Sequence, residues 1–185
     1  MSKNLAKDCE KVLFSGMQLK QRIASLATHI SVTYEYRDNC PLVIGILKGC
    51  LHFYSELTRK LHFPHESAFM SVSTYYGGRE STGKLQITQE LNCSVAGRDV
   101  LIVEDIIDSG ITLAMLKELF LKQGANSVTI VTMLDKECRR KVDIRPDYCA
   151  FTIDDHFVVG YGLDYKELYR NLPFIGILKE EVYKE

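Results

Sequence analysis

The run Leu42-Val43-Ile44-Gly45-Ile46-Leu47 is apolar at every position for the length of one strand, with Pro41 before it and Lys48-Gly49 after it. Such a strand has no polar face to turn toward water, so it belongs in a parallel sheet covered on both sides. Helix and strand signals alternate around it. Leu19, Ile23, Leu26 and Ile30 recur at steps of four, three and four, the stripe of a covering helix that ends near Ser31. Tyr54, Leu57 and Leu61 give helical spacing again, and residues 68–72 read as the next strand. A strand over 100–103 then leads through a turn into a helix over 111–123, with Leu113, Leu116 and Phe120 on one face, and on into a strand over 128–134. Gly124 stands at the left-handed cap position. This is a βαβ unit. Two short strands follow over 149–153 and 157–161, before an irregular tail holding Pro173 and Gly176. The pattern predicts an open α/β sheet whose ligands bind beyond the carboxyl ends of its strands.

A chain of 185 residues with 46% apolar content can bury a core without disulfide or metal staples, so one domain over 1–185 is expected. Its formal charge of -1, with Lys and Arg spread along the chain, gives no electrostatic footprint for nucleic acid or a membrane surface. A small molecule is the expected partner. Six cysteines form no CxxC pair and no zinc spacing, and they read as buried thiols of a reducing cytoplasm. Residues 1–10 are polar and charged, and no run reaches the roughly eighteen apolar residues of a membrane span. A soluble, unexported protein is expected.

Four polar groups stand directly after predicted strands: Lys48-Gly49, Glu104-Asp105, Asp135-Lys136 and Asp164. In a parallel sheet such positions converge on one rim. The richest stretch is Val100-Leu101-Ile102-Val103-Glu104-Asp105-Ile106-Ile107-Asp108-Ser109-Gly110-Ile111-Thr112-Leu113. Free backbone N–H groups at the helix start, the macrodipole and the hydroxyls of Ser109 and Thr112 together form a phosphate site that Gly110 lets the backbone approach. Three carboxylates beside it would repel a phosphate unless a hard cation or sugar hydroxyls lie between. The stretch therefore reads as a site for ribose, phosphate and magnesium. Helix capping alone accounts for Asp108 or Ser109, but not for an acidic pair at the end of an apolar strand.

This segment resembles the phosphoribosyl pyrophosphate motif of the type I phosphoribosyltransferases, and its Glu-Asp-Ile-Ile-Asp-Ser-Gly wording resembles the hypoxanthine-guanine branch in particular. Leu47-Lys48-Gly49, Leu134-Asp135-Lys136, and the run from Asp155 through Asp164-Tyr165 to Arg170 match that branch in the same order, over roughly residues 40–178. The resemblance implies a mainly parallel sheet flanked by helices, with a small hood formed by terminal segments. It also implies a magnesium-dependent enzyme that joins a 6-oxopurine to phosphoribosyl pyrophosphate.

On that resemblance, Lys48 and Gly49 bind pyrophosphate in a turn that often carries a non-proline cis peptide. Glu104 and Asp105 hold the ribose hydroxyls directly or through magnesium, and Asp108, Ser109, Gly110, Ile111 and Thr112 cradle the 5′-phosphate. Asp108 lies near the purine N7 as general base or acid. Lys136 donates to the purine O6, and an ammonium, having donors only, favours an oxo group over the amino group of adenine. Phe157 stacks on the ring, the Val158 backbone reads its edge, Asp164 beside it binds a second magnesium, and Arg170 lies on the pyrophosphate side. The polar stretch 73–83 is a lid with Thr74 and Tyr75 at its active edge. The family is usually dimeric or tetrameric, so a homodimer or homotetramer is expected.

Two other motifs are incomplete. Gly78 to Lys84 has P-loop spacing, but Leu85 stands where Ser or Thr is needed, and Gly160-Tyr161-Gly162 opens a dinucleotide fingerprint whose third glycine position is Tyr165. A rival from another class is a regulator that keeps this fold and binds the sugar phosphate as an effector. It would need a basic face or an added DNA-binding module, and this near-neutral chain displays neither.

Overall fold

In the computed structural model, which describes residues 5–35, 39–74 and 85–184, the apolar run Leu42–Leu47 lies at the centre of a sheet. The strands are β1 (Cys9–Phe14), β2 (Leu42–Leu47), β3 (Glu66–Thr74), β4 (Leu85–Gln89), β5 (Asp99–Ile107), β6 (Ser127–Asp135), β7 (Tyr148–Thr152), β8 (Val158–Val159) and β9 (Ile175–Leu178). The helices are α1 (Gly16–Tyr34), α2 (Leu51–Thr58), α3 (Ile111–Lys122) and the one-turn α4 (Glu180–Tyr183). Strand order in the main sheet is β4-β3-β2-β5-β6-β7. All neighbours are parallel except β4, which runs antiparallel to β3 at one edge.

Covering the sheet on both faces is what makes its central strands continuously apolar. Val43, Leu101, Val103, Val131 and Met133 point into the layer filled by α1 and α2, where Leu19, Ile23, Ile30, Phe53 and Leu57 are wholly or almost wholly buried. Their alternates Leu42, Ile44, Ile46, Val100, Ile102 and Ile130 pack with Leu113, Leu116 and Phe120 of α3 on the other face. Ser15 opens α1 with a capping box, its hydroxyl accepting from the Gln18 amide while the Gln18 side chain accepts from the Ser15 amide. Gly124, just past α3, has φ +87, the left-handed conformation expected of a helix stop. Gly45 has no room for a side chain, because a Cβ would press on the rings of Tyr54 and Phe69.

A second, three-stranded antiparallel sheet, β1-β9-β8, forms a hood over the carboxyl ends of the main strands. It holds two strands that the sequence pattern does not predict. β1 is half exposed and carries its two charges, Glu10 and Lys11, side by side, so it shows no alternation, and β9 lies in the stretch expected to be an irregular tail around Gly176. The strand expected over 157–161 shrinks to Val158–Val159, because the left-handed backbone at Gly160 (φ +97) and Tyr161 (φ 53) ends the ladder. The cysteines are free, as expected, but Cys50 alone is buried; Cys40 and Cys138 are exposed and the other three lie between. No helix among the described residues is long and apolar enough to cross a membrane.

Candidate functional site

Two clefts meet at the carboxyl rim of the main sheet, and the hood walls the first of them. One of about 600 Å³ is lined by Asp105, Asp108, Lys136, Arg139, Phe157, Val158, Asp164 and Tyr183 among others. The other, of about 290 Å³, is lined by Leu47, Glu104, Asp108, Ser109, Gly110 and Thr112 among others. Asp108 belongs to both.

The smaller cleft is formed around the loop that leads into α3, the stretch expected to bind a phosphate. Gly110 precedes α3 in the left-handed conformation (φ +79), which directs the first-turn amides outward. Ser109 Oγ accepts from the Ile111 amide at 3.4 Å, while the amides of Thr112 and Leu113 have no acceptor among the described residues. Below the loop, Arg140 approaches Gly110 closely enough that a Cβ there would lie 2.9 Å from Arg140 Cδ. The Arg140 guanidinium is paired with Asp135 in a buried contact. Asp135 therefore does not face a ligand, as its position after a strand suggested, but anchors the floor of the loop.

The acidic pair is displaced from its expected place. β5 runs on to Ile107, so Glu104 and Asp105 sit within the strand rather than after it. Asp105 is buried and accepts from the Ile106 amide at 2.8 Å. Burial pushes its carboxyl up to about 6, although the Ile106 amide and the Arg170 charge pull the other way. Glu104 is raised well above the usual carboxylate range by burial and then by Asp105, and its buried Oε2 has no hydrogen-bond partner among the described residues. Two crowded, under-satisfied carboxyls are a poor resting arrangement unless a cation or hydroxyl donors arrive. This donor set fits magnesium, which takes one or two carboxylates and fills its remaining positions with substrate oxygens and water. No cluster of three or more His, Cys, Asp or Glu side chains placed to hold a metal exists among the described residues.

Gly49 and Gly162 close the space above this pair. A Cβ at Gly49 would collide with the Asp105 carboxylate, and one at Gly162 (φ +106) would collide with the Gly49 carbonyl. Gly160 and Gly162 are therefore packing residues that seat the hood, not part of a dinucleotide fingerprint. The Leu47–Lys48 peptide is cis. Lys48 itself projects to Glu167, Nζ to Oε2 at 2.7 Å, and lines neither cleft. Arg170 completes a chain of charges there, with Nη2 2.9 Å from Asp164 Oδ1 and 3.2 Å from Glu167 Oε1, and with Nη1 donating to the Gly162 carbonyl at 2.8 Å.

In the larger cleft Lys136 is buried, and its ammonium donates to the His156 carbonyl at 2.8 Å, with Asp155 Oδ1 3.6 Å away. That contact fixes the cation beside Phe157 and leaves it further donors for an acceptor in the cleft. Phe157 stacks against Tyr183 of α4, centroids 4.6 Å apart and planes 19° apart, and meets Tyr165 edge-on. Val158 is buried in the hood, paired in register with Ile177. Arg139 Nε stands 3.6 Å from Asp108 Oδ1 and its Nη1 3.4 Å from Asp155 Oδ2, bridging the two cleft walls. Thr74 closes β3, whereas Tyr75 and the P-loop-like stretch 78–84 lie outside the described residues.

Sequence reasoning missed Arg139, Arg140, Asp155, Glu167 and Tyr183. The first two follow Lys136 in a basic run that reads as solvated charge, and no local signal marks the others.

The sequence matches the phosphoribosyl transferase domain family over residues 11–166. It is 49% identical over 177 residues to the hypoxanthine-guanine phosphoribosyltransferase of Bacillus subtilis, covering 96% of this chain and 97% of that one. It is 49% identical to that of Lactococcus lactis over the whole of both chains. The crystal structure of a hypoxanthine phosphoribosyltransferase from Staphylococcus aureus superposes with a TM-score of 0.93, at 43% identity and full coverage of both chains. A phosphate loop, an acidic pair and a lysine-marked second cleft on one rim thus coincide with full-length kinship, and the chain belongs to the phosphoribosyltransferase family, in its hypoxanthine-guanine branch.

Proposed function

We propose that this chain is a purine salvage enzyme that transfers the 5-phosphoribosyl group from phosphoribosyl pyrophosphate to hypoxanthine, and to guanine, giving the nucleoside monophosphate and pyrophosphate. The observation that carries this is the meeting of two clefts at Asp108, one with a helix-start phosphate loop and one with a buried ammonium beside an aromatic ring.

In this reading the loop from Asp108 to Thr112 holds the 5′-phosphate through the free amides of α3 and the Ser109 and Thr112 hydroxyls. Glu104 and Asp105 face the ribose hydroxyls. Lys136 donates to O6 of the purine, Phe157 and Val158 bound the ring, and Asp108 takes the proton that the purine loses as its nitrogen bonds to the anomeric carbon. The bond from that carbon to the pyrophosphate oxygen breaks with its electron pair leaving on pyrophosphate, near Lys48, Gly49 and Arg170. Positive charge grows on the ribose as it does in glycoside cleavage, so water has to be excluded. The segment around Thr74 and Tyr75 has this role.

Magnesium bound at Glu104 and Asp105, and at Asp164, would neutralise the growing charge of the leaving group. Asp164 is engaged by Arg170 and would share its carboxylate. One domain over 1–185, a homodimer or homotetramer, and a cytoplasmic setting belong to the same proposal. The free cysteines support the last of these.

The test is magnesium-dependent conversion of hypoxanthine, guanine, xanthine and adenine to nucleotides, comparing the parent with Asp108→Asn and Lys136→Ala. Turnover of the 6-oxopurines that drops by at least tenfold in both variants is the expected result. No turnover of any purine while sugar-phosphate binding persists would replace this function with that of an effector-binding regulator.

A further inference from the structure

The chain after Asp164 reverses through a two-residue turn. Tyr165 and Leu168 exchange backbone hydrogen bonds of 3.3 and 3.0 Å, and the two residues between them, Lys166 (φ 50) and Glu167 (φ 63), are both left-handed. Such turns ordinarily use glycine, asparagine or aspartate, because a Cβ is strained there. Strained backbone away from glycine persists where the surroundings over-determine it, and it concentrates at functional sites.

The surroundings of Glu167 are two cations and a carboxylate. Its Oε2 lies 2.7 Å from Lys48 Nζ, its Oε1 lies 3.2 Å from Arg170 Nη2, and its amide donates to Asp164 Oδ2 at 3.0 Å. Lys48 comes from the turn after β2 and Arg170 from the segment leading into the hood, so a single carboxylate spans the gap between them, one oxygen to each. Two anionic oxygens, each on one cation, are also how a diphosphate would engage the same pair. Lys48 and Arg170 are the cations given to pyrophosphate above, and the inference rests on that function.

We propose that Glu167 is a built-in counter-anion of the pyrophosphate subsite, occupying Lys48 and Arg170 in the empty enzyme and competing with the diphosphate for them. The Lys48 and Glu167 side chains are 67% and 64% exposed, so the pair can part and re-form in water, while Arg170 at 23% is the fixed member. Entry of the diphosphate turns the carboxylate aside; departure of pyrophosphate lets it return and cover the cations. Glu167 touches no reacting atom in this scheme. It is a positioning residue that sets how tightly the subsite holds a diphosphate, and so how readily the product leaves.

The experiment uses the full chain with Glu167→Gln, which removes charge and keeps shape, and Glu167→Gly, which also relieves the left-handed backbone. Binding of magnesium pyrophosphate by titration calorimetry and KM for phosphoribosyl pyrophosphate are measured at low and high salt. Both variants are expected to bind pyrophosphate tighter by roughly two- to tenfold, the range of exposed ion pairs, with KM falling in parallel and the gain shrinking as salt rises. A merely structural anchor predicts the reverse sign, since Lys48 and Arg170 would lose their support. Weaker or unchanged pyrophosphate binding in both variants, with an active parent, overturns the role of Glu167 alone. A parent that neither binds pyrophosphate nor makes nucleotide overturns the function beneath it as well.

Discussion

A methyl group placed on Gly49 would land on the carboxylate of Asp105. The turn after β2 and the middle of β5 are therefore fitted to one another without spare volume, and Gly162 fills the remaining side by packing on the Gly49 carbonyl. Gly49→Ala is expected to cost about 1–3 kcal/mol of stability in denaturant unfolding, as over-packing does. It should also lower kcat/KM by tenfold or more, since Asp105 would be pushed from the place where the proposed function has it face the ribose. Full activity in this variant would mean the turn tolerates displacement.

The acidic pair gives the empty protein an unusual pH dependence. Burial raises the carboxyl groups of both Glu104 and Asp105 in the folded chain, Asp105 to about 6, while in the unfolded chain they titrate near 4. Between those values the folded chain holds a proton on Asp105 that the unfolded state has released, so that contribution is present on the acid side and is lost as pH rises through about 4 to 6, and Glu104, raised well above the ordinary range, carries the same decline to higher pH. For Asp105 alone that loss is of order 3 kcal/mol. Melting temperatures of the ligand-free protein from pH 4.5 to 7.5 should show the decline after ordinary acid effects are subtracted. Glu104→Gln should flatten it and stabilise the protein at neutral pH, while impairing nucleotide synthesis.

Arg140 and Asp135 form a buried pair under the phosphate loop. Removing one member leaves an uncompensated charge, so Arg140→Met or Asp135→Leu alone is expected to cost about 3–5 kcal/mol. The double variant should recover most of that loss. Because Arg140 also supports Gly110, the double variant is still expected to show a raised KM for phosphoribosyl pyrophosphate. A chemical-denaturation cycle over the four proteins, with kinetics on those that fold, separates the two effects.

The segments legible in the sequence are those whose physics is local. The βαβ unit around Asp108 was readable because a strand, a turn and a helix stop each leave a chemical mark: the run 100–103, Ser109-Gly110 and Gly124. Lys136 could be placed on the rim by its position after an apolar strand. What escaped depends on partners far away in sequence. β1 carries no alternation strong enough to mark it, and it becomes a strand only because β9 pairs with it. Asp135 and Lys136 are adjacent and equally polar, yet one turns down to Arg140 and the other to His156, a choice made by tertiary packing. Tyr183 reaches Phe157 only once the hood is in place.

Tyr169 couples that hood to the opening segment, its hydroxyl donating to Asp8 Oδ2 at 2.8 Å. Tyr169→Phe leaves the packing and deletes the bond, at an expected cost of about 1 kcal/mol. Hydrogen exchange should accelerate in β1 and β9 and stay unchanged in β2, β5 and β6. Uniform acceleration would mean that hood and main sheet open as one unit.

The antiparallel pairing of β1 with β9 also sets an order of events during synthesis. Strands β2, β3, β5 and β6, with the phosphate loop between them, are all translated before β9 leaves the ribosome, whereas β1 waits for a partner from the far end of the sequence. Contacts of such long sequence separation close late. A nascent chain would thus complete the loop proposed to hold the sugar phosphate first, and only afterwards the wall with Phe157 and Val158 proposed to bound the purine ring.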